Sequence, residues 1–506
     1  MSDLRRLAEF IHDITWEQLP ERVRETAALR VLDLVSVAAG AAKDPLVEAA
    51  KRALGMVSGC QAEIPDADLN RPGFVSVWGD PGKYPLATAA MINAMLAHTL
   101  ELDDVHTASK THGSASLIPA AWSCAEYLGK SGKDFLLAVV CGYETVNRVG
   151  MAFGVSAHRN RGWHATATCG VFGCAAACAK LLDLSVDQIV SALGMAGTQS
   201  SGVWAFLGDG SSCKILHPAR AAADGIEAAF LARAGMTGPE HIFEAKDGGL
   251  LTAMSDGGAI SQLSQGLGVV FEILNMDMKP YPCCRSAHCA IDGILEIREQ
   301  MEARLGLKIR NMSEAEILAE QIQAIEIDTY LVGYKQCAVS DGCLHPKTVL
   351  DAKFSTPYSA AAAFLYGTVG MEQFEPEVVF DPAVQNLLER VAVRPADRFK
   401  IGRPLYRAVS KTLGLPCESY YAGWCGLRIR SGRPVRQRGK TLEPGSSHEE
   451  SRGVFECGVS GKRAENDSRV IKSGEQRTAP DNIRRKTLCR LRKLPWQVLW
   501  NPAMPR

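Results

Sequence analysis

The chain has 506 residues, with 56 Lys+Arg against 56 Asp+Glu, and is 46% apolar and 22% charged. That composition excludes a disordered chain, and the length predicts roughly two to four domains with sizeable cores. The zero net charge excludes a protein wholly dedicated to nucleic acid, but it is a cancellation: residues 401–506 hold 22 Lys+Arg and 9 Asp+Glu, leaving 34 and 47 for residues 1–400.

The first twenty residues carry charges throughout and have no apolar stretch of signal-peptide length. No run of 18 uncharged apolar residues occurs anywhere. The expectation is a cytoplasmic protein without a membrane partner. Helical periodicity then dominates to about residue 270. Leu4, Leu7, Phe10, Ile11 and Ile14 mark one apolar face. Further helical runs are Thr26 to Ala39, Leu86 to Leu100, Phe135 to Val149, His164 to Leu182, Val186 to Ala196 and Ala219 to Ala234. Several are apolar nearly all round, as in helices buried within a large bundle.

After about residue 270 the texture changes. Ala324 to Thr329 alternates like a strand, and Val391 to Val393 is a weaker strand. Helical runs lie at Cys289 to Glu302 and Ser359 to Tyr366. The fold class is mainly α: a large all-helical domain over 1–268 and a smaller α+β domain over 269–400. Residues 431–475 are rich in Arg, Ser, Gly, Lys and Glu with no sustained period, so residues 425–480 are expected to be irregular. The 16 cysteines include several inside apolar helical runs, and no pair of CxxC motifs occurs. They read as buried free thiols rather than a disulfide framework or a structural zinc site.

Four stretches carry chemistry. Glu101-Leu-Asp-Asp-Val-His106 followed by His112 puts three carboxylates and two imidazoles within twelve residues. Carboxylate and histidine together can abstract and return a proton. His164 opens a small-residue helix, where the helix N-terminus favours a neutral imidazole. Gly208 to Pro218 is a Gly/Ser-rich loop with Lys214 and His217 leading into a helix. Loop amides and an ammonium make an anion site, but the P-loop spacing is absent. Lys279-Pro-Tyr-Pro-Cys-Cys-Arg285, followed by His288, leads into an apolar helix after a stiffened approach. Arg285 can grip a carboxylate bidentately and Lys279 can supply a point charge. Each stretch alone fits a solvated helix end or surface turn equally well. Gathered in one place, they suit a substrate with several carboxylates and chemistry at a nearby C–H. No metal-ligand spacing connects the histidines, so no metal is expected.

At these residues the chain resembles the MmgE/PrpD family, which includes 2-methylcitrate dehydratase, cis-aconitate decarboxylase and an iminodisuccinate epimerase. The resemblance rests on ELDDVH…THGSAS (101–116), GYETVNRVG (142–150) and GWHATATCGVFGCAAACAKLLDLS (162–185), then KILHPARAAADGIEAAFLARAGMTGP (214–239), KPYPCCRSAHCAIDG (279–293) and HPKTVLDAKFSTPYSAAAA (345–363). It implies an all-helical domain with a smaller α+β lid and a site between them. It also implies a homodimer without metal or organic cofactor, acting on a small carboxylic acid. Family catalytic positions are matched by Glu101, His112, His164, Lys214 and Lys279, with Asp104, His217 and His288 nearby. The Asp104 to His112 spacing is about one residue longer than in the decarboxylase pattern. A family tyrosine falls near Tyr330 or Tyr334.

Combining both lines, Lys214, Lys279 and Arg285 hold substrate carboxylates, with His217 and His288 assisting. His164 moves a proton on carbon, and His112 or an acidic residue near 101–104, Glu101 and Asp104 being the named candidates, assists the leaving group. Dehydration is the first expectation, with decarboxylation and epimerisation as alternatives. An inactive, dimeric anion-binding protein is the alternative of another class. Residues 401–506 depart from the family pattern, as a natural basic tail or as the product of a reading-frame shift near 395–420.

Overall fold

The computed structural model describes residues 1–59, 73–306 and 308–396, with the strands 407–409, 418–420, 426–431 and 454–458. The chain is mainly helical, with short sheets. The first helix, Asp3–Asp13, starts where the Ser2 side chain accepts from the Arg5 amide, and it buries Leu4, Leu7, Ala8 and Ile11. The helix Gly132–Phe153 opens with a Ser131/Asp134 capping box, and Val186–Thr198 with one from Ser185 and Gln188.

The helix Ala165–Leu181 is buried on nearly every side. It packs on Ser114–Leu128, Gly132–Phe153 and Leu216–Arg233. Its sequence permits this because small residues let helix backbones approach. A Cβ on Gly142 would lie 3.0 Å from the Gly173 carbonyl oxygen, and one on Gly225 would lie 2.4 Å from the Cys174 Cβ. The result is a close-packed body in which added volume has nowhere to go.

Among the described residues, two large apolar cores form, with two small clusters around Phe206 and Tyr330. One runs through residues from Leu4 to Met276, the other from Cys283 to Leu388. The second lies around the helices His288–Leu305 and Thr356–Tyr366 and a four-stranded sheet. In that sheet Ile322–Thr329 pairs parallel with Val391–Pro395 and antiparallel with Gly426–Ser431, which pairs antiparallel with Val454–Gly458. Ile325 and Ile327 are buried while Glu326 between them is partly exposed, the alternation of a half-buried strand.

Strands at 426–431 and 454–458 correct the expectation that 425–480 is irregular throughout; the remainder of that stretch lies outside the described residues. Arg407–Val409 and Glu418–Tyr420 form a separate antiparallel pair. The described cysteines are all free, and nearly all are buried. No described helix is long and apolar enough to cross a membrane.

Candidate active site

The site is built where the buried helix Leu86–Thr99 ends. His98 is the last buried residue of that helix, and the chain turns immediately after it. Glu101 takes a left-handed backbone conformation, φ +58°. A non-glycine residue held there costs about 1–2 kcal/mol, and here the turn is tied down: Lys279 donates from Nζ to the Glu101 carbonyl oxygen at 2.9 Å. The loop is further pinned by a two-residue ladder of Val105–His106 with Met276–Asp277. Thr107 also donates to Asp277 at 2.9 Å.

Five ionisable groups interlock in the centre. Lys214, on the 3-10 turn Ser212–Ile215, donates to Glu101 Oε1 and to His98 Nε2. Lys279 lies 3.3 Å from Glu101 Oε2 and 3.9 Å from Asp103 Oδ1. Asp103 Oδ2 lies 2.7 Å from His98 Nδ1. All five are buried. An ammonium only donates and a carboxylate only accepts, so the His98 tautomer follows: Nδ1–H donates to Asp103, and Nε2 accepts from Lys214.

Burial pushes the Glu101 carboxyl up, but Lys214 and Lys279 outweigh it and hold the group well below the usual carboxylate range. Asp103 behaves alike: burial raises it, and His98, His112 and Lys279 pull it below its ordinary value. Burial lowers the Lys279 ammonium, and Glu101 and Asp103 more than restore it. Burial keeps His98 neutral. Glu101 therefore enters as a fixed anion clamping two ammonium groups, and an ionised carboxylate of this kind does not donate a proton.

Three more imidazoles surround this centre. His112 Nδ1 lies 3.2 Å from Asp103 Oδ2 but off hydrogen-bonding direction, and its amide donates to Thr166 Oγ1. His112 keeps some exposure, its side chain being 15% accessible. His164 directly precedes the helix Ala165–Leu181, and its amide donates to the Gly202 carbonyl. Its ring stacks 6.4 Å from His98 and meets Trp204 edge-on at 4.8 Å. His164 Nδ1 lies 2.8 Å from His217 Nδ1, so one ring donates and the other accepts. Burial, with Lys214 beside it, holds His164 well below the ordinary histidine value, and the same causes bring His217 down to about 4. Both are neutral at neutral pH, which suits proton acceptance.

The geometry thus joins Glu101, His112, His164, Lys214, His217 and Lys279. It does not join Asp104. That carboxylate turns into the helical core, where it accepts from Ser114 Oγ at 2.5 Å and from Tyr143 at 2.7 Å. Burial raises its pKa. The carboxylate facing the histidines is its neighbour Asp103, 2.7 Å from His98. Arg285 and His288 lie to one side. Arg285 sits 3.7 Å from Asp277, and His288 directs Nε2 to the Cys283 carbonyl at 3.2 Å.

Four residues of the site had not been singled out. His98 and Asp103 complete the centre. Lys353, the end of Val349–Lys353, reaches across from the second core toward the Thr99 carbonyl at 3.4 Å. Lys110 sits with its ammonium 5.7 Å over the ring of Tyr330. Tyr330 is hydrogen-bonded to Ser286 at 2.7 Å. The signal for His98 was a lone imidazole inside an alanine-rich helix buried all round.

On distance alone, His98, Asp103 and His112 bring three donor atoms within 4.8 Å of one another. Their bonding opposes a cation there. Both His98 nitrogens are engaged, one by an ammonium, and Lys279 adds a second positive charge beside Asp103.

The MmgE/PrpD N-terminal domain matches residues 5–263, and the MmgE/PrpD C-terminal domain matches residues 281–414. A cis-aconitate decarboxylase-like protein of Aspergillus oryzae is 28% identical over 411 residues, 78% of this chain and 80% of that protein. The cis-aconitate decarboxylase of Aspergillus terreus is 28% identical over 307 residues, 58% of this chain and 60% of that protein. The human cis-aconitate decarboxylase is 28% identical over 347 residues, 67% of this chain and 68% of that protein. With both domains matched in order, and with the buried residues at Glu101, His164, Lys214 and Lys279 meeting in one place, the chain belongs to the MmgE/PrpD family.

Proposed function

We propose that the protein is a lyase that acts on a small di- or tricarboxylic acid by moving a proton at a carbon near a carboxylate, without a metal or organic cofactor. One observation carries this reading: neutral His164 and His217 stand beside Lys214, which with Lys279 is clamped by Glu101 in a buried setting. Fixed ammonium groups in such a setting stabilise the negative charge that develops on the substrate, usually the largest contribution to rate. A positioned imidazole adds about 10²–10⁴-fold through proton transfer.

Decarboxylation takes precedence over the dehydration expected from sequence, because relatives matching over most of the chain carry decarboxylase names. In that reaction the C–C bond to one carboxylate breaks, carbon dioxide leaves, and the electron pair stays on the substrate carbon. An imidazole at the rim, best filled by His112, then delivers the proton that forms the new C–H bond. Dehydration uses the same groups in another order. His164 takes a C–H proton, the C–O bond breaks, and the departing hydroxide is protonated by the His112 side. Purified protein incubated with cis-aconitate and with 2-methylcitrate, followed by NMR in deuterium oxide, tests both. Loss of carbon dioxide with deuterium entering the product supports decarboxylation; an alkene without carbon loss supports dehydration. No reaction and no C–H exchange with any citrate-like acid would favour the inactive anion-binding alternative. A homodimer in the cytoplasm belongs to the same proposal, and the dimer is checked by the mass in solution.

A further inference from the structure

Three of the free cysteines come together from separate elements. Cys284, Cys337 and Cys343 share one small cluster with Phe206 and Phe354. Cys283, next to the first of them, packs instead into the second core. Cys284 directly precedes the 3-10 turn Arg285–Ala287, and Cys337 ends the helix Leu331–Cys337. Both are anchored close to their sulfurs. The Cys284 amide donates to the Lys353 carbonyl at 2.8 Å, and Ser286 Oγ donates to Gln336 Oε1 at 2.9 Å. The segment 284–286 is thereby laid against the end of that helix, and the two thiols hydrogen-bond to each other. Cys343 is engaged elsewhere: its sulfur accepts from Ser340 Oγ at 2.9 Å and donates to the Gln336 carbonyl at 3.5 Å.

The pair is asymmetric. The hydrogen bond from Cys337 outweighs burial and brings the Cys284 thiol from 9.0 down to about 6. Burial, with the same bond, pushes Cys337 well above its ordinary value. Cys337 therefore donates its S–H to a Cys284 thiolate. The cations that act on Cys284 are Lys279, Lys110 and Arg159, with Glu101 opposing them. Arg159, on the helix Val155–Asn160, acts on Cys337 as well. Its guanidinium lies 4.5 Å from the Trp204 ring centre, and its buried Nε has no hydrogen-bond partner among the described residues. Cys284 keeps 9% exposure while Cys337 has none. A thiolate among cations, reached by solvent at one edge, is the setting of a reactive cysteine rather than an inert one.

We propose that Cys284 and Cys337 form a peroxide-sensitive thiol pair that closes to a disulfide. The lyase reading is not needed for this and stands or falls separately. The Cys284 thiolate attacks hydrogen peroxide; an S–O bond forms, the O–O bond breaks, and hydroxide leaves with Cys284 as a sulfenic acid. The Cys337 sulfur then displaces that oxygen. An S–S bond forms, the S–O bond breaks, and the Cys337 proton leaves with the oxygen as water. The hydroxide takes up the proton that Cys284 had released, so two thiols are oxidised as one peroxide is reduced to two waters. The new bond would tie the segment that carries Lys279 to the helix that follows Tyr330.

The test treats the full chain with hydrogen peroxide, blocks remaining thiols with iodoacetamide, digests without reductant and sequences the peptides by mass spectrometry. The expected product is one peptide pair joining Cys284 to Cys337, lighter by two hydrogens than its separate peptides and split by dithiothreitol. Cys283→Ser and Cys343→Ser should keep that crosslink, and Cys284→Ser should lose it. Cys337→Ser should stop at the Cys284 sulfenic acid, which dimedone traps. The unsubstituted chain gives the decisive product by itself, so a serine variant that fails to fold does not decide the outcome. Oxidation confined to the exposed Cys213 overturns the proposal. So does a crosslink that runs through Cys283 or Cys343 in place of this pair.

Discussion

In the helical body, site residues stand at the ends or edges of close-packed elements. His98 closes one buried helix, His164 precedes another, and His217 lies in the first turn of a third. In the chain after Met276, the site residues hang on connecting segments. Lys279 and Arg285 follow a two-residue strand, Lys353 ends a five-residue helix, and Tyr330 follows a sheet strand. The difference separates two jobs. The body fixes imidazoles, whose ring direction decides which atom a proton reaches. The later segments bring mostly cations, whose attraction falls gently with distance and tolerates a looser mount. Glu101 is the joint, since it contacts one lysine from each region.

Breaking that joint should have the largest effect. Glu101→Gln leaves Lys214 and Lys279 without their shared anion, and removing one partner of a buried pair costs about 3–5 kcal/mol. A urea titration should show that loss together with abolished turnover. Unchanged stability would mean the two regions are held together elsewhere. On the body side, His164→Ala should cut turnover by about 10²–10⁴-fold while barely moving the unfolding midpoint. Near-normal turnover on a confirmed substrate would end its role as base.

Acid should attack the body through a different histidine. His158 donates from Nδ1 to the Met254 carbonyl at 2.9 Å and stacks on Phe153 at 4.5 Å. Burial lowers its pKa from 6.5 to about 4. The unfolded chain then takes up a proton that the folded chain refuses. Stability is complete above pH 6.5 and falls as pH drops toward about 4, by a few kcal/mol at most. Unfolding midpoints at pH 7.5 and 5, compared with those of His158→Gln, read this directly: the variant should lose part of the slope. Equal slopes would place the acid sensitivity in other groups.

The smallest contrast is also the sharpest. Asp103→Asn should disable the site, whereas Asp104→Asn should keep turnover and lose roughly 1–3 kcal/mol from its bonds to Ser114 and Tyr143. The reverse pattern would return Asp104 to the site.

The long helices were legible because their apolar residues recur with helical spacing, and the ends expected for Leu86–Thr99 and Ala165–Leu181 fell within a residue of those observed. The strand Ile322–Thr329 was legible from its alternation. Lys214 and His164 stood out because each follows glycine at an element boundary, and Lys279 because it directly precedes Pro280. The loop from 100 to 113 resisted reading. Its outcome depends on the left-handed turn at Glu101, and adjacent residues in such a loop face opposite ways. Local sequence cannot decide between Asp103 and Asp104 when both are acidic. The tie is broken by Ser114 and Tyr143, which arrive from other helices to claim Asp104. Lys353 was missed for a similar reason, because only packing of the second core on the first brings it to Thr99.

The bonds on His98 have one further consequence. Lys214, the imidazole and Asp103 form a file of hydrogen bonds with a single sense of donation, sealed from water along its length. Turning the imidazole over would set its N–H against the Lys214 ammonium and its bare nitrogen against the Asp103 carboxylate, so the file locks the ring plane and, through it, the direction in which Lys214 points. His98→Asn should therefore disturb Lys214 more than any change on the far side of that lysine, which a structure of the variant would read.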